Sequence, residues 1–193
     1  MKLFSLILSA AILLVVNSGY AQDEMPAHIK DHITYPALDF HEWVGVMPIK
    51  DAAMRYNPEL DYKVALDLYG KMNDSTQIHA VILEVARTYN LLRANGVPAE
   101  KIQMAAVIHG GIVRAILKEE QFQKDYKVPN PNLAAIKALE DLGVKFYVCG
   151  QSVVFNNISE ESISPLVKLT ISAKTTFISL DQMGFSYLNL SND

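Results

Sequence analysis

Between Tyr62 and Leu190 the chain alternates short, nearly continuous apolar runs with longer stretches in which apolar residues recur every three or four positions. The first run, "YKVALDLY" from Tyr62 to Tyr69, is compact and mostly apolar and stops at Gly70 and the polar turn "GKMNDS". It predicts a strand. Ile78, Ile82, Val85, Tyr89 and Leu92 then recur at helical spacing, and "NGVP" closes that element, with Gly96 as a C-terminal cap and Pro98 just beyond. The unit repeats. "IQMAAVIHGG" reads as a buried strand, and "NPNLAAIKALEDLG" as a helix with Asn130 or Asn132 available as N-cap and Gly143 as its stop. "VKFYVCG" is a third strand, "LVKLTIS" a fourth, "AKTTFISLDQMG" a helix and "FSYLNL" a short last strand. Strands that alternate with helices and lack polar alternation predict an α/β fold. The expected arrangement is three-layer α/β/α around a mostly parallel five-stranded sheet, with right-handed crossovers.

Upstream of this core the pattern is different. From 22 to 60 four prolines, Pro26, Pro36, Pro48 and Pro58, interrupt every periodicity, yet Phe40, Trp43 and Val44 lie among them. Such a segment is expected as an extended arm packed on its own domain or on a neighbouring subunit. Residues 1 to 21 read as a secretory signal peptide: Lys2, an apolar stretch from Leu3 to Val16, then small Gly19 and Ala21 at a cleavage site. The apolar stretch is shorter than the roughly 18 to 20 residues of a spanning helix. An exported protein, periplasmic or secreted and with no membrane association after cleavage, is therefore expected. The domain proper is assigned to 61–193.

Charge and cysteine count narrow the chemistry. The formal net charge of −4, with acids and bases interspersed, provides no basic stripe for a phosphate backbone, which argues against nucleic acid as a partner. One cysteine among 193 residues forms no internal disulfide even in an oxidising compartment, so stability rests on the core and on subunit contacts. No Walker loop, dinucleotide glycine fingerprint, GxSxG elbow or CxxC pair occurs.

In an open parallel sheet, ligands bind beyond the carboxyl ends of the strands. Two of those ends stand out. Cys149 closes the third strand in "CGQS"; if the chain turns at Gly150 into a helix or tight turn near Gln151, main-chain N–H groups face the sulfur and favour its thiolate. The other reading of Cys149 is a small buried hydrophobe at a strand end. His109 closes the second strand and is followed by Gly110 and Gly111, which let the backbone approach a ligand and offer N–H groups as an anion nest at the start of "IVRAIL". His109 is a proton donor or acceptor there, or else a strand-end histidine bonded to backbone. Arg114 is placed to pair with a bound anion or with a surface carboxylate. Were the second and third strands neighbours, about 4.8 Å apart, His109 and Cys149 would share one small site. His28, His32, His41 and His79 are scattered without zinc-site spacing, and neither a metal nor a cofactor is expected.

Taken together, "YKVALDL", "EVARTYNLLRANGVP", "VIHGGIVRAIL", "NPNLAAIKALEDLGVKFYVCGQS" and "TTFISLDQMGF" resemble the DsrE/DsrF-like family, in particular its exported members. The resemblance implies a three-layer α/β sheet with the second and third strands side by side, assembled as a homo-oligomer, a trimer or hexamer. In the intracellular sulfur-relay members the cysteine at the end of the third strand carries a persulfide passed between proteins, and Cys149 stands at that position. The implied role is sulfur handling through Cys149, as persulfide carrier or sulfurtransferase, with a sulfur-donor or acceptor protein as partner; His109, read from its strand-end position, would join it in the catalytic site by stabilising the charge. Gly110, Gly111, Arg114, Gly150 and Gln151 would form the ligand-binding surround. The alternative is a non-catalytic oligomeric module that holds a small ligand or anion in the same pocket.

Overall fold

A computed structural model describes residues 25 to 191. The expected signal segment and the first residues of the arm lie outside them. Five strands form one sheet: β1 (Tyr62–Gly70), β2 (Ile102–Gly110), β3 (Lys145–Cys149), β4 (Val167–Thr170) and β5 (Ser186–Asn189). Their order is β4-β3-β2-β1-β5, and every pairing is parallel, so the mostly parallel sheet expected from the pattern is wholly parallel among the described residues.

Side chains alternate across a strand, so each strand divides its residues between two faces. Leu66, Leu68, Ala106, Ile108, Phe146 and Val148 point to one side and bury against α2 (Ala80–Ala94) and α4 (Asn132–Asp141) in the main core. Ala65, Ala105, Val107 and Cys149 point to the other and form a smaller cluster with Ala173 and Leu180 of α6 (Ala173–Gln182). The two alanines of that second face let α6 approach closely. Helices on both faces make the α/β/α layering.

The expected ends of α2 are present: Gly96 adopts φ +94° and its N–H reaches Arg93 O, while the Val97 N–H reaches Leu92 O. For α4 the expectation needs correction, because Pro131 occupies the N-cap position and neither asparagine serves as the cap there. Asn132 is instead the first helical residue, its N–H bonded to Asn130 Oδ1, and its own Oδ1 accepts the N–H of His79 at the start of α2. The asparagines tie two helix starts together rather than finishing one. An additional helix, α3 (Glu119–Tyr126), lies in a segment whose pattern predicted nothing; only Phe122 of it is buried.

The arm packs on its own chain. It contains a short helix, α1 (Ala27–Lys30), a bridge between Thr34 and Val46, and a 3-10 turn at Glu42–Val44. Leu38, Val44 and Val46 are buried. The fixing point is Asn90 on α2, a fully buried amide: its Oδ1 accepts the N–H groups of Ala37 and Leu38, and its Nδ2 donates to the carbonyls of Leu38 and Val44. Substituting Asn90→Ala strands those backbone groups, each worth about 1–3 kcal/mol when buried without a partner. The expected outcome is a stability loss of at least that size in denaturant titration, with proteolysis cutting selectively within residues 36 to 60.

Candidate functional site

The carboxyl ends of β1, β2 and β3 meet at one edge of the α6-covered face. Register fixes the heights: Tyr69 is level with His109, and Ile108 with Val148, which puts His109 one step on beside Cys149. The adjacency on which a shared site depended is therefore present. Asp67, His109 and Cys149 line a single cleft of ≈ 530 Å³, with Gln151 and Phe155 of α5 (Gly150–Phe155) and Ser172, Ala173, Lys174 and Phe177 at the start of α6.

Cys149 is the last residue of β3 and directly precedes α5. Its side chain is only 5% exposed, packed against Ala65, Ala105 and Val107 yet open to the cleft. No conventional side-chain cap closes at this helix start. Burial pushes the thiol pKa up, but the Ser152 hydroxyl and the main-chain amides of Ser152, Ala173 and Gln151 more than offset it, and the net shift is downward from 9.0. The helix turn expected after Gly150 thus supplies donors as anticipated, and α6 adds one from a second direction. Gly150 permits this convergence because a Cβ there would sit 2.7 Å from Thr170 O.

Asp67 completes the polar part of the cleft and was not singled out by the sequence. Its Oδ1 lies 2.6 Å from His109 Nε2, and its Oδ2 accepts a short hydrogen bond from the Tyr187 hydroxyl on β5. Burial alone would raise the Asp67 pKa; the bonds to His109 and Tyr187 and the charge of His109 bring it below 3.8. An ionised carboxylate only accepts, so Nε2 donates to it in either charge state, and in the neutral ring Nδ1 is the nitrogen with the lone pair. The Tyr69 ring lies against the imidazole at 5.0 Å between centroids. The available signal for Asp67 was a carboxylate flanked by Leu66 and Leu68 in a strand covered on both sides, a position that requires a partner. Tyr187 had no comparable local signal.

The glycines and Arg114 occupy different positions. Gly110, at φ +76°, donates its N–H to Ser152 Oγ and accepts from Asn156 Nδ2 at its carbonyl, so this amide serves the fold instead of a free nest. Its effect on the site is indirect, since it holds the hydroxyl that faces the sulfur. Gly111 opens the 3-10 segment Gly111–Ile116, and Arg114 within it donates to the carbonyl of Asn156. None of these three lines the cleft. Among the described residues no three His, Cys, Asp or Glu side chains gather in a metal-binding group.

The bond from Tyr187 to Asp67 also marks the phenol: that hydrogen bond, then burial and the nearby negative charge, push its pKa from 10.0 to about 12. In a spectrophotometric titration of phenolate absorbance, one tyrosine is expected to ionise near that value. Asp67→Asn should return it toward 10.0, and Tyr187→Phe should remove the late step.

The model of the DsrE/DsrF-like family matches residues 63–190. Among solved structures, a protein of unknown function, MTH1491 from Methanobacterium thermoautotrophicum, is similar at 16% identity; the match covers 67% of this chain and 99% of that one, with a TM-score of 0.49. No curated protein matches the chain.

Proposed function

We propose, on the premise that the chain belongs to the DsrE/DsrF-like family, that Cys149 is a sulfur acceptor: its thiolate takes up sulfane sulfur as a persulfide, which a partner thiolate collects. The observation that carries this reading is the set of donors around the sulfur, three main-chain amides and the Ser152 hydroxyl, which favours an anion at a buried position. A cysteine that merely packs has no need of them. A persulfide anion formed on the same side chain would meet the same donors, and Lys174 adds positive charge to the cleft wall. Phe155 and Phe177 provide an apolar flank that limits water around the reacting sulfur. Export to the periplasm or beyond, inferred from residues 1 to 21, is part of the same proposal.

The test uses the purified protein and inorganic polysulfide, with intact mass as readout. A gain of one sulfur atom, reversed by a thiol and absent in Cys149→Ser, is expected. Alkylation of Cys149 by iodoacetamide should rise through an inflection below pH 9.0, because the lowered pKa leaves more thiolate at neutral pH. Ser152→Ala should move that inflection upward by removing a donor. A native thiol inert to both reagents would instead favour a pocket that binds without reacting.

A homo-oligomer belongs to this reading too. Phe155 lines the cleft at 87% exposure, and Val154, Ile171 and Ile178 stand next in sequence to cleft-lining residues with most of their surface uncovered. A second copy covering these side chains would narrow the cleft mouth. Sedimentation equilibrium is expected to give a trimer or hexamer, and Phe155→Asp with Ile171→Asp a smaller species; a monomeric wild-type protein would remove this part of the proposal.

A further inference from the structure

We infer that Tyr187 and Asp67 are positioning residues that hold His109 as the proton carrier for sulfur transfer at Cys149. The inference rests on the sulfur-acceptor reading and assigns work within that site to two residues that the reading itself does not need.

The registers place four side chains of one face in a row that climbs from β5 through β1 to β2 and then runs level to β3. Tyr187 is level with Ala65, Asp67 stands two residues further along the same strand, and His109 is level with Tyr69, two residues further again. Cys149 follows in the next strand, one step past the Ile108 and Val148 pair. The row thus crosses β5, β1, β2 and β3 in spatial order and ends at the thiol. Its first two links are hydrogen bonds with a fixed direction. The phenol has one proton to give and gives it to Oδ2, which leaves Oδ1 to accept only the Nε2 proton. Both carboxylate oxygens are engaged, so the ring is held in one tautomer, with the Nδ1 lone pair left for chemistry. A carboxylate set this way stabilises the imidazolium that forms when Nδ1 takes a proton.

The chemistry balances without an oxidant or reductant. With an organic hydropersulfide R–S–SH as donor, the Cys149 thiol passes its proton to His109 Nδ1. The thiolate attacks the outer sulfur of the donor; the new Cys149 Sγ–S bond forms as the bond between the donor's two sulfurs breaks. The departing electron pair resides on RS⁻, which takes the proton back from His109. Cys–SH and R–S–SH become Cys–S–SH and R–SH, and the sulfane sulfur keeps its oxidation level. Protonating the leaving thiolate is the step for which a held imidazolium matters most.

Asp67 and Tyr69 from β1 touch the ring, Tyr187 from β5 reaches it through Asp67, and Cys149 from β3 and Lys174 from α6 line the same cleft. The experiment is rapid-quench mass spectrometry of persulfide formation on the purified protein, with cysteine hydropersulfide as donor, from about pH 5.5 to about pH 9 around the titration range of imidazole. His109→Gln is expected to slow transfer by about 100-fold, the lower range of general acid and base effects. Asp67→Asn should lose about 10-fold or more and change the pH profile of transfer, because the carboxylate that fixes the Nε2–H tautomer of the ring is gone. The double variant should be no slower than His109→Gln alone, as residues acting through one group are not additive. Tyr187→Phe keeps a ring that is 56% exposed and its contact with Phe177, and should reproduce a weaker form of the Asp67→Asn change. Wild-type rates and an unchanged pH profile in both Asp67→Asn and Tyr187→Phe would overturn the inference while leaving the sulfur acceptor standing. Additive losses would overturn it as well. A wild-type protein that forms no persulfide would overturn the underlying reading and this role with it.

Discussion

The two faces of the parallel sheet are covered unequally, and the site follows from that constraint. One face meets α2 and α4 and forms the large core; the other meets α6, whose contact rests on Ala65, Ala105, Val107 and Leu180. Beyond the start of α6 the strand tips of the second face are left without a full helical cover, and the cleft opens there. A buried polar group is affordable only where partners can reach it. At this edge Asp67, His109 and Cys149 all find them.

Ser152 shows how the fold and the site are joined. Its hydroxyl accepts the Gly110 N–H at 3.0 Å and also faces the Cys149 sulfur. The turn after β2 and the helix after β3 are therefore fixed to each other through the same atom that favours the thiolate. Gly110 suits this junction because its φ of +76° disfavours side chains, and a Cβ would meet the Tyr69 ring at 2.7 Å. The residue that looked like part of a ligand nest acts one bond further from the chemistry.

Much of this was legible in the sequence because strands buried on both faces leave nearly unbroken apolar runs, and a helix that packs on them repeats at 3.6 residues. Those patterns located all five strands and α2, α4 and α6, and the punctuation after β2 and β3 marked His109 and Cys149. The helix α3 escaped because "EEQFQKDY" commits only Phe122 to the core, too little for a period to emerge. Asp67 and Tyr187 escaped for another reason. They are 120 positions apart, and their bond exists only because β5 returns to pair beside β1. No local spacing encodes a contact made by sheet order. The N-cap of α4 was misplaced similarly, since Asn132 answers to His79 across the fold and not to its own helix, while Gly143 ends the helix at φ +89° as its position predicted.

One consequence concerns β5. It is an edge strand of four residues, Ser186–Asn189, exposed along its length, and among the described residues it pairs with β1 alone. Edge strands of this kind open on their own far more readily than the centre of a sheet. The outermost hydroxyl reaching Asp67 is thus carried by an exposed edge strand, while the sulfur sits on β3, which is paired on both sides. Fraying at that border would detune the carboxylate without disturbing the nucleophile, so whatever clamps the border from outside would also govern how the interior reacts.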